Sequence, residues 1–180
     1  MIPRHIPEAL GKYVVIKSYV NANHAGKMAN RRSHYGIIIY VNNAPIIWYS
    51  KYQNTVEASS FGSESVYIRI NTDTIESLRY NSIFFGIPVE GPADAFCDDM
   101  SVFKNYSIPT SALNNKNNDI CYHRVREAQA AGILWVRWIP GDFNLTDLFT
   151  KPTITGNTRN NLVDLIFSNT SSPIGDIEKA

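Results

Sequence analysis

Cysteine is scarce in this 180-residue chain, with Cys97 and Cys121 alone, and they form no CxxC pair. A disulfide framework and a cysteine-built metal site are thereby excluded, and both thiols read as reduced residues of a cytosolic or nuclear protein. Charge of one sign is equally short: the formal net charge is +1, so the broad basic field of a histone-like binder is missing and any nucleic-acid contact has to come from a local patch. Long apolar runs are absent too. The stretch YGIIIYV (35–41) falls well below the roughly 20 residues that span a bilayer. The opening MIPRHIPEALGK holds two prolines and no apolar core, unlike a secretory signal. No membrane partner is expected, and an intracellular location, cytoplasmic or nuclear, is.

What is present is a globular composition, 44% hydrophobic and 18% charged, in a length suited to one core. The expected organisation is a flexible segment over 1–11, one domain over 12–170 and a disordered tail over 171–180. β-favouring runs at 13–20, 34–41 and 44–52 predict an antiparallel meander, with Asn42 and Asn43 forming the second turn. The spacing over 58–86 predicts a long helix, with Ser59 or Ser60 as N-cap and Gly86 as stop. Its polar run NTDT (71–74) is expected to weaken it. A strand over 91–99, a short helix from Met100 to Tyr106, a helix over 119–132, a strand over 133–140, a short helix over 144–152 and an amphipathic helix over 157–169 complete an α/β chain with a mixed sheet.

Three acids stand where such a fold gathers ligands. Asp98 ends the fourth strand, Glu64 lies near the start of the long helix and Asp147 on the short helix after the fifth strand. Taken singly, each reads equally as a solvated or capping carboxylate.

The blocks NANHAG, RRSHYGIIIYVNNAPIIWYSKYQNTVEAS, SSFGSESV, AFCDDMSV, ICYHRVREA and NLTDLFTKP, in this order, resemble the ribonuclease H domain of copia-type retrotransposon polyproteins. That resemblance implies a ribonuclease H-like fold: a five-stranded mixed sheet, first three strands antiparallel, flanked by helices. It also implies metal-dependent endonucleolytic hydrolysis of the RNA strand of RNA–DNA hybrids, and a reverse transcriptase domain as a partner. Two Mg²⁺ ions, with Mn²⁺ as a substitute, would be held by four carboxylates, because hard cations select oxygen ligands and a pair of ions serves the attacking and leaving oxygens. By resemblance Glu64, Asp98 and Asp147 are three of those ligands, and His123, in CYHRVRE, assists proton transfer or product departure; as a lone helical histidine it also reads as a surface residue. Asp99 follows Asp98 along a strand, should face the other way, and is left out of the ligand set.

The fourth ligand departs from the pattern. The family motif has aspartate at both positions where this chain has Asn21 and Asn23. An amide carbonyl brings no charge and does not bridge two cations as a carboxylate does, so the metal site should be weakened at Asn21. Two readings follow: a ribonuclease H with impaired catalysis, or an inactive module of that fold, a pseudoenzyme, that binds nucleic acid or a protein. Lys27, Arg31, Arg32 and Lys51 are the candidate phosphate contacts of either. Arg124 and Arg126 extend that basic edge or balance nearby acids. Trp48, Tyr49 and Tyr52 are candidates for packing against a duplex, with at least one turned to the core, while Trp135 and Trp138 read as core and strand-edge residues.

Overall fold

The computed structural model describes residues 7–23, 32–54, 59–108, 119–151 and 154–167. Three strands, β1 (Ile16–Asn23), β2 (His34–Val41) and β3 (Ala44–Tyr52), form the antiparallel meander. Asn42 turns the second hairpin at φ 54° and its Oδ1 accepts from the Val15 N–H at 3.0 Å. The long helix α1 (Ser60–Phe84) follows, then β4 (Ala93–Cys97), α2 (Met100–Ser107), α3 (Asp119–Ala130), β5 (Leu134–Trp138), a single 3-10 turn (Gly141–Phe143), α4 (Asp147–Thr150) and α5 (Gly156–Phe167). The strands lie in the order β3-β2-β1-β4-β5, with β4 parallel to β1 and β5 parallel to β4. The expected five-stranded mixed sheet is therefore observed, with β1 reaching three residues further than predicted, through both asparagines.

Alternation along β1 assigns the two faces. Ile16 and Val20 point to the side covered by α1, α2 and α3, where Ile37, Ile39, Tyr67, Ile68 and Ile75 are buried to 1% exposure or less. Each such aliphatic side chain contributes about 1.5–3 kcal/mol by leaving water. Tyr19 points the other way, into a smaller core with Ile38, Tyr40 and Phe96 that is closed by Leu145, Leu162 and Ile166.

The run NTDT does not interrupt α1. Asn71 and Thr72 are fully buried; the Asn71 amide donates to Ser18 Oγ of β1 at 2.8 Å, and Thr72 and Thr74 return their hydroxyls to the carbonyls of Ile68 and Ile70. Tertiary contacts thus override modest helix propensity. Ser59 caps the helix through Gly62 N–H, and Gly86, at φ 75°, stops it as expected. The N-terminal segment, read as flexible, is described from residue 7: Leu10 N–H donates to the Gly86 carbonyl.

The outer edge of β5 is closed by side chains. Ser107 Oγ donates to the Val136 carbonyl, while Gln129 accepts from the Val136 N–H and donates to the Tyr106 carbonyl. That satisfies groups an open edge would present to another strand. Cys97 is buried and Cys121 half-buried, both as free thiols. Among the described residues no helix is long and apolar enough to cross a membrane.

Candidate active site

The parallel register of β1 on β4 pairs Tyr19 with Phe96. Continued by two residues it sets Asn21 beside Asp98, where β4 ends and the crevice of an open sheet forms. α4 brings Asp147 to the same place from above. Its close approach depends on Gly36, opposite Asn21 on β2: a Cβ there would lie 2.7 Å from Phe149 Cβ. Asn144, fully buried, donates to the Val20 carbonyl at 3.0 Å and accepts from Thr146 Oγ1 at 2.6 Å, so the turn into α4 is tied to β1. Ser50 ties the other end, donating to the Phe149 carbonyl at 2.6 Å and lying 2.8 Å from His34 Nε2.

Within this frame Asn21, 4% exposed, donates through Nδ2 to Asp147 Oδ1 and, at 3.3 Å, to Thr150 Oγ1. Asn23 donates to the Thr150 carbonyl at 3.4 Å. Asp147 Oδ2 receives the Lys151 ammonium at 2.8 Å. Both oxygens of that carboxylate are thus engaged by the chain's own donors.

Asp98 is held above the usual carboxylate range by burial and then by the charge of Asp147, with Lys151 pulling in the opposite direction. Glu64, 8% exposed, is pushed up to about 8 by burial first and by the charge of Asp99 next, with Asp98 contributing less. It is therefore largely a neutral carboxylic acid at pH 7. Asp99 caps α2, its Oδ1 accepting from Ser101 and Val102 N–H at 2.6 and 3.1 Å, which accounts for this residue without a ligand role.

The acids act on one another in pairs, Asp147 on Asp98 and Asp98 on Glu64. Glu64 Oε2 is buried without a hydrogen-bond partner, a feature a cation would satisfy. Against this, among the described residues no group of three or more His, Cys, Asp or Glu side chains is arranged to hold a metal ion. With Asp147 already paired to Asn21 and Lys151, and an amide at position 21, the residues as arranged do not fit a two-ion site.

His123 is not brought to this cluster. It is exposed on α3 and lines a groove of about 580 Å³ with Tyr106, Arg126 and Trp135 that shares no lining residue with the acids. Its matching motif block had suggested a catalytic place, but the first turns of α3 pack against α1 and α2 instead. Of the basic candidates, Lys27 and Arg31 lie outside the described residues, whereas Arg32 and Lys51 are exposed at the end of the β2–β3 hairpin that holds Asn21's neighbours. Arg124 balances acids, pairing with Asp73 at 3.0 Å and with Glu76 of α1. Arg126 donates to the Tyr122 hydroxyl and the Ile108 carbonyl. Trp48 and Tyr52 are exposed on the face of β3 that carries the site, and Tyr49 is the one turned toward the core. Trp135 and Trp138 are 45% and 40% exposed, so neither is a core residue.

Gly36, Asn144, Thr150 and Lys151 escaped the sequence reading as site residues. A glycine inside a continuous strand pattern signals close backbone approach, and Asn-x-Thr before a short helix signals a side chain bound to the main chain.

No family model matches the chain. Over 168 residues, 93% of its length, it is 26% identical to the retrovirus-related Pol polyprotein of transposon RE2 of Arabidopsis thaliana, and over 144 residues, 79%, it is 28% identical to that of transposon RE1 of the same plant. It spans only 11% and 10% of those polyproteins. Among solved structures, the N-terminal ribonuclease H domain of a Mycobacterium tuberculosis protein superposes with a TM-score of 0.58 at 13% identity, covering 85% of this chain and 96% of that one. LC11 ribonuclease H1, in complex with an RNA/DNA hybrid, superposes at 0.53 and 13% identity, covering 76% of this chain and 92% of that one. The five-stranded mixed sheet and its helices are thus those of a ribonuclease H fold, and the chain's sequence relatives are the retrovirus-related Pol polyproteins of copia-type transposons.

Proposed function

We propose that this chain is a ribonuclease H-type module that engages RNA–DNA hybrids and whose metal-dependent hydrolysis of the RNA strand is impaired. The observation that carries the reading is the hydrogen bond from the Asn21 amide to Asp147. An aspartate at that position would place a second carboxylate there, and only cations or protons relieve such a pair. The amide instead donates, so the crevice is held together without a divalent ion. Loss of the bridging ligand weakens Mg²⁺ or Mn²⁺ binding but leaves the surface intact, and hybrids are recognised chiefly by backbone shape and the 2′-hydroxyl. Exposed Arg32 and Lys51 supply phosphate contacts near the crevice, and a reverse transcriptase domain is the partner that would deliver the hybrid.

The test is incubation with a labelled hybrid in Mg²⁺ and in Mn²⁺, with binding read by mobility shift and cleavage on a denaturing gel. The native chain should bind and cut little or not at all, Asn21→Asp should cut at least tenfold faster, and Asp98→Asn in that background should abolish the gain. Cleavage by the native chain that Asp98→Asn removes would overturn the impaired reading. Absence of any shift would overturn hybrid binding.

A further inference from the structure

Asp147 is the more buried member of its ion pair: its side chain is 11% exposed, that of Lys151 46%. A carboxylate so placed needs a counter-charge, and leaving it unpaired is far more costly than losing an exposed pair. Lys151 is also held by its main chain, whose N–H bonds the Asp147 carbonyl at 2.9 Å, so the ammonium folds back over one helical turn onto Oδ2. The opposite oxygen is bonded by Asn21.

We propose that Lys151 is the resident cation of this crevice, a built-in counter-ion that competes with a divalent metal for the Asp147 carboxylate. The inference rests on the reading that Asn21 fills the first-strand ligand position. It goes further in assigning the exclusion of metal to two residues acting on the same carboxylate, the amide from β1 and the ammonium from the end of α4. Asn21→Asp alone would then be an incomplete repair, because the new carboxylate adds a second acceptor for the same ammonium.

Mn²⁺ titration followed by the paramagnetic resonance signal of the free ion tests this on the full chain, without substrate. The native protein should leave millimolar Mn²⁺ unbound, Asn21→Asp should bind weakly, and Asn21→Asp with Lys151→Gln should bind at least tenfold tighter than Asn21→Asp alone. Asn21→Asp with Lys151→Arg, which keeps the charge, should gain nothing. Equal affinity of the Gln double variant and Asn21→Asp would overturn the proposal, as would Mn²⁺ binding by the native chain that Lys151→Gln does not change. Thermal melting in chelator gives a second readout free of metal. Lys151→Gln should melt below Lys151→Arg, and Asp147→Asn with Lys151→Gln should regain the loss; equal melting of all three would remove the counter-ion role. Failure of hybrid binding would leave these titrations untouched, and failure of the titrations would leave hybrid binding standing.

Discussion

The two faces of β1 are built to different rules. Toward α1, Ile16 and Val20 enter a continuous apolar core whose members are almost completely buried, and the polar intruder Ser18 is satisfied by Asn71. Toward α4, Asn21 and Asn23 meet carboxylate, hydroxyl and carbonyl oxygens in a crevice where stability depends on which donor faces which acceptor. The first face tolerates any set of side chains that keeps volume and polarity, whereas the second depends on the amides of Asn21 and Asn23 and the Lys151 ammonium each meeting an acceptor. One strand therefore carries an apolar packing face on one side and a hydrogen-bonded polar crevice on the other.

Three perturbations sharpen that contrast. Ile37→Ala strikes the apolar face, where the side chain is fully buried, and should cost about 2–5 kcal/mol in denaturant unfolding while leaving hybrid affinity of the folded protein unchanged. A cost below 1 kcal/mol would mean that this face collapses to fill the void.

The buried acids should show themselves through pH. Burial and Asp99 hold Glu64 near 8, above its unfolded value, so the folded state binds more protons than the unfolded state between the two. Stability should accordingly be fullest below the unfolded value and decline as pH rises toward 8, by on the order of 3 kcal/mol. Asp98, also raised, acts with the same sign. Glu64→Gln should flatten the profile between pH 5 and pH 8, measured by melting across that range. An unchanged slope would place the dependence elsewhere.

Gly36→Ala tests the junction between the faces. The added methyl meets Phe149 at 2.7 Å and must push α4 off β2, costing about 1–3 kcal/mol. Because α4 begins at Asp147 and Lys151 follows its last residue, the same substitution should loosen the contact with Asn21, read as faster amide hydrogen exchange over 147–151. Loss of stability without that local change would show that strain spreads into the sheet instead.

Much of this was legible before any coordinates. Alternation and turn residues placed the meander, because period-two burial and the left-handed tolerance of Asn42 are local properties. The matching blocks singled out Glu64, Asp98 and Asp147 by resemblance, and the amides at 21 and 23 stood out as a departure from the family pattern. Other features were not readable. NTDT looks like a helix breaker until Ser18 and Arg124 are seen to take its polar groups, and His123 looks catalytic until α3 is seen to turn it into a separate groove.

What the sequence determined by itself was the list of elements, the fold they build and the missing charge at position 21, since these depend on residue type and short-range periodicity. Tertiary structure alone decided what replaces that charge. Asn21 and Asp147 stand 126 positions apart, and only the packing of α4 over Gly36 brings the amide and the Lys151 ammonium onto one buried carboxylate. The reason is physical: hydrogen bonds and ion pairs act over a few ångströms of space, and distance along the chain does not enter them.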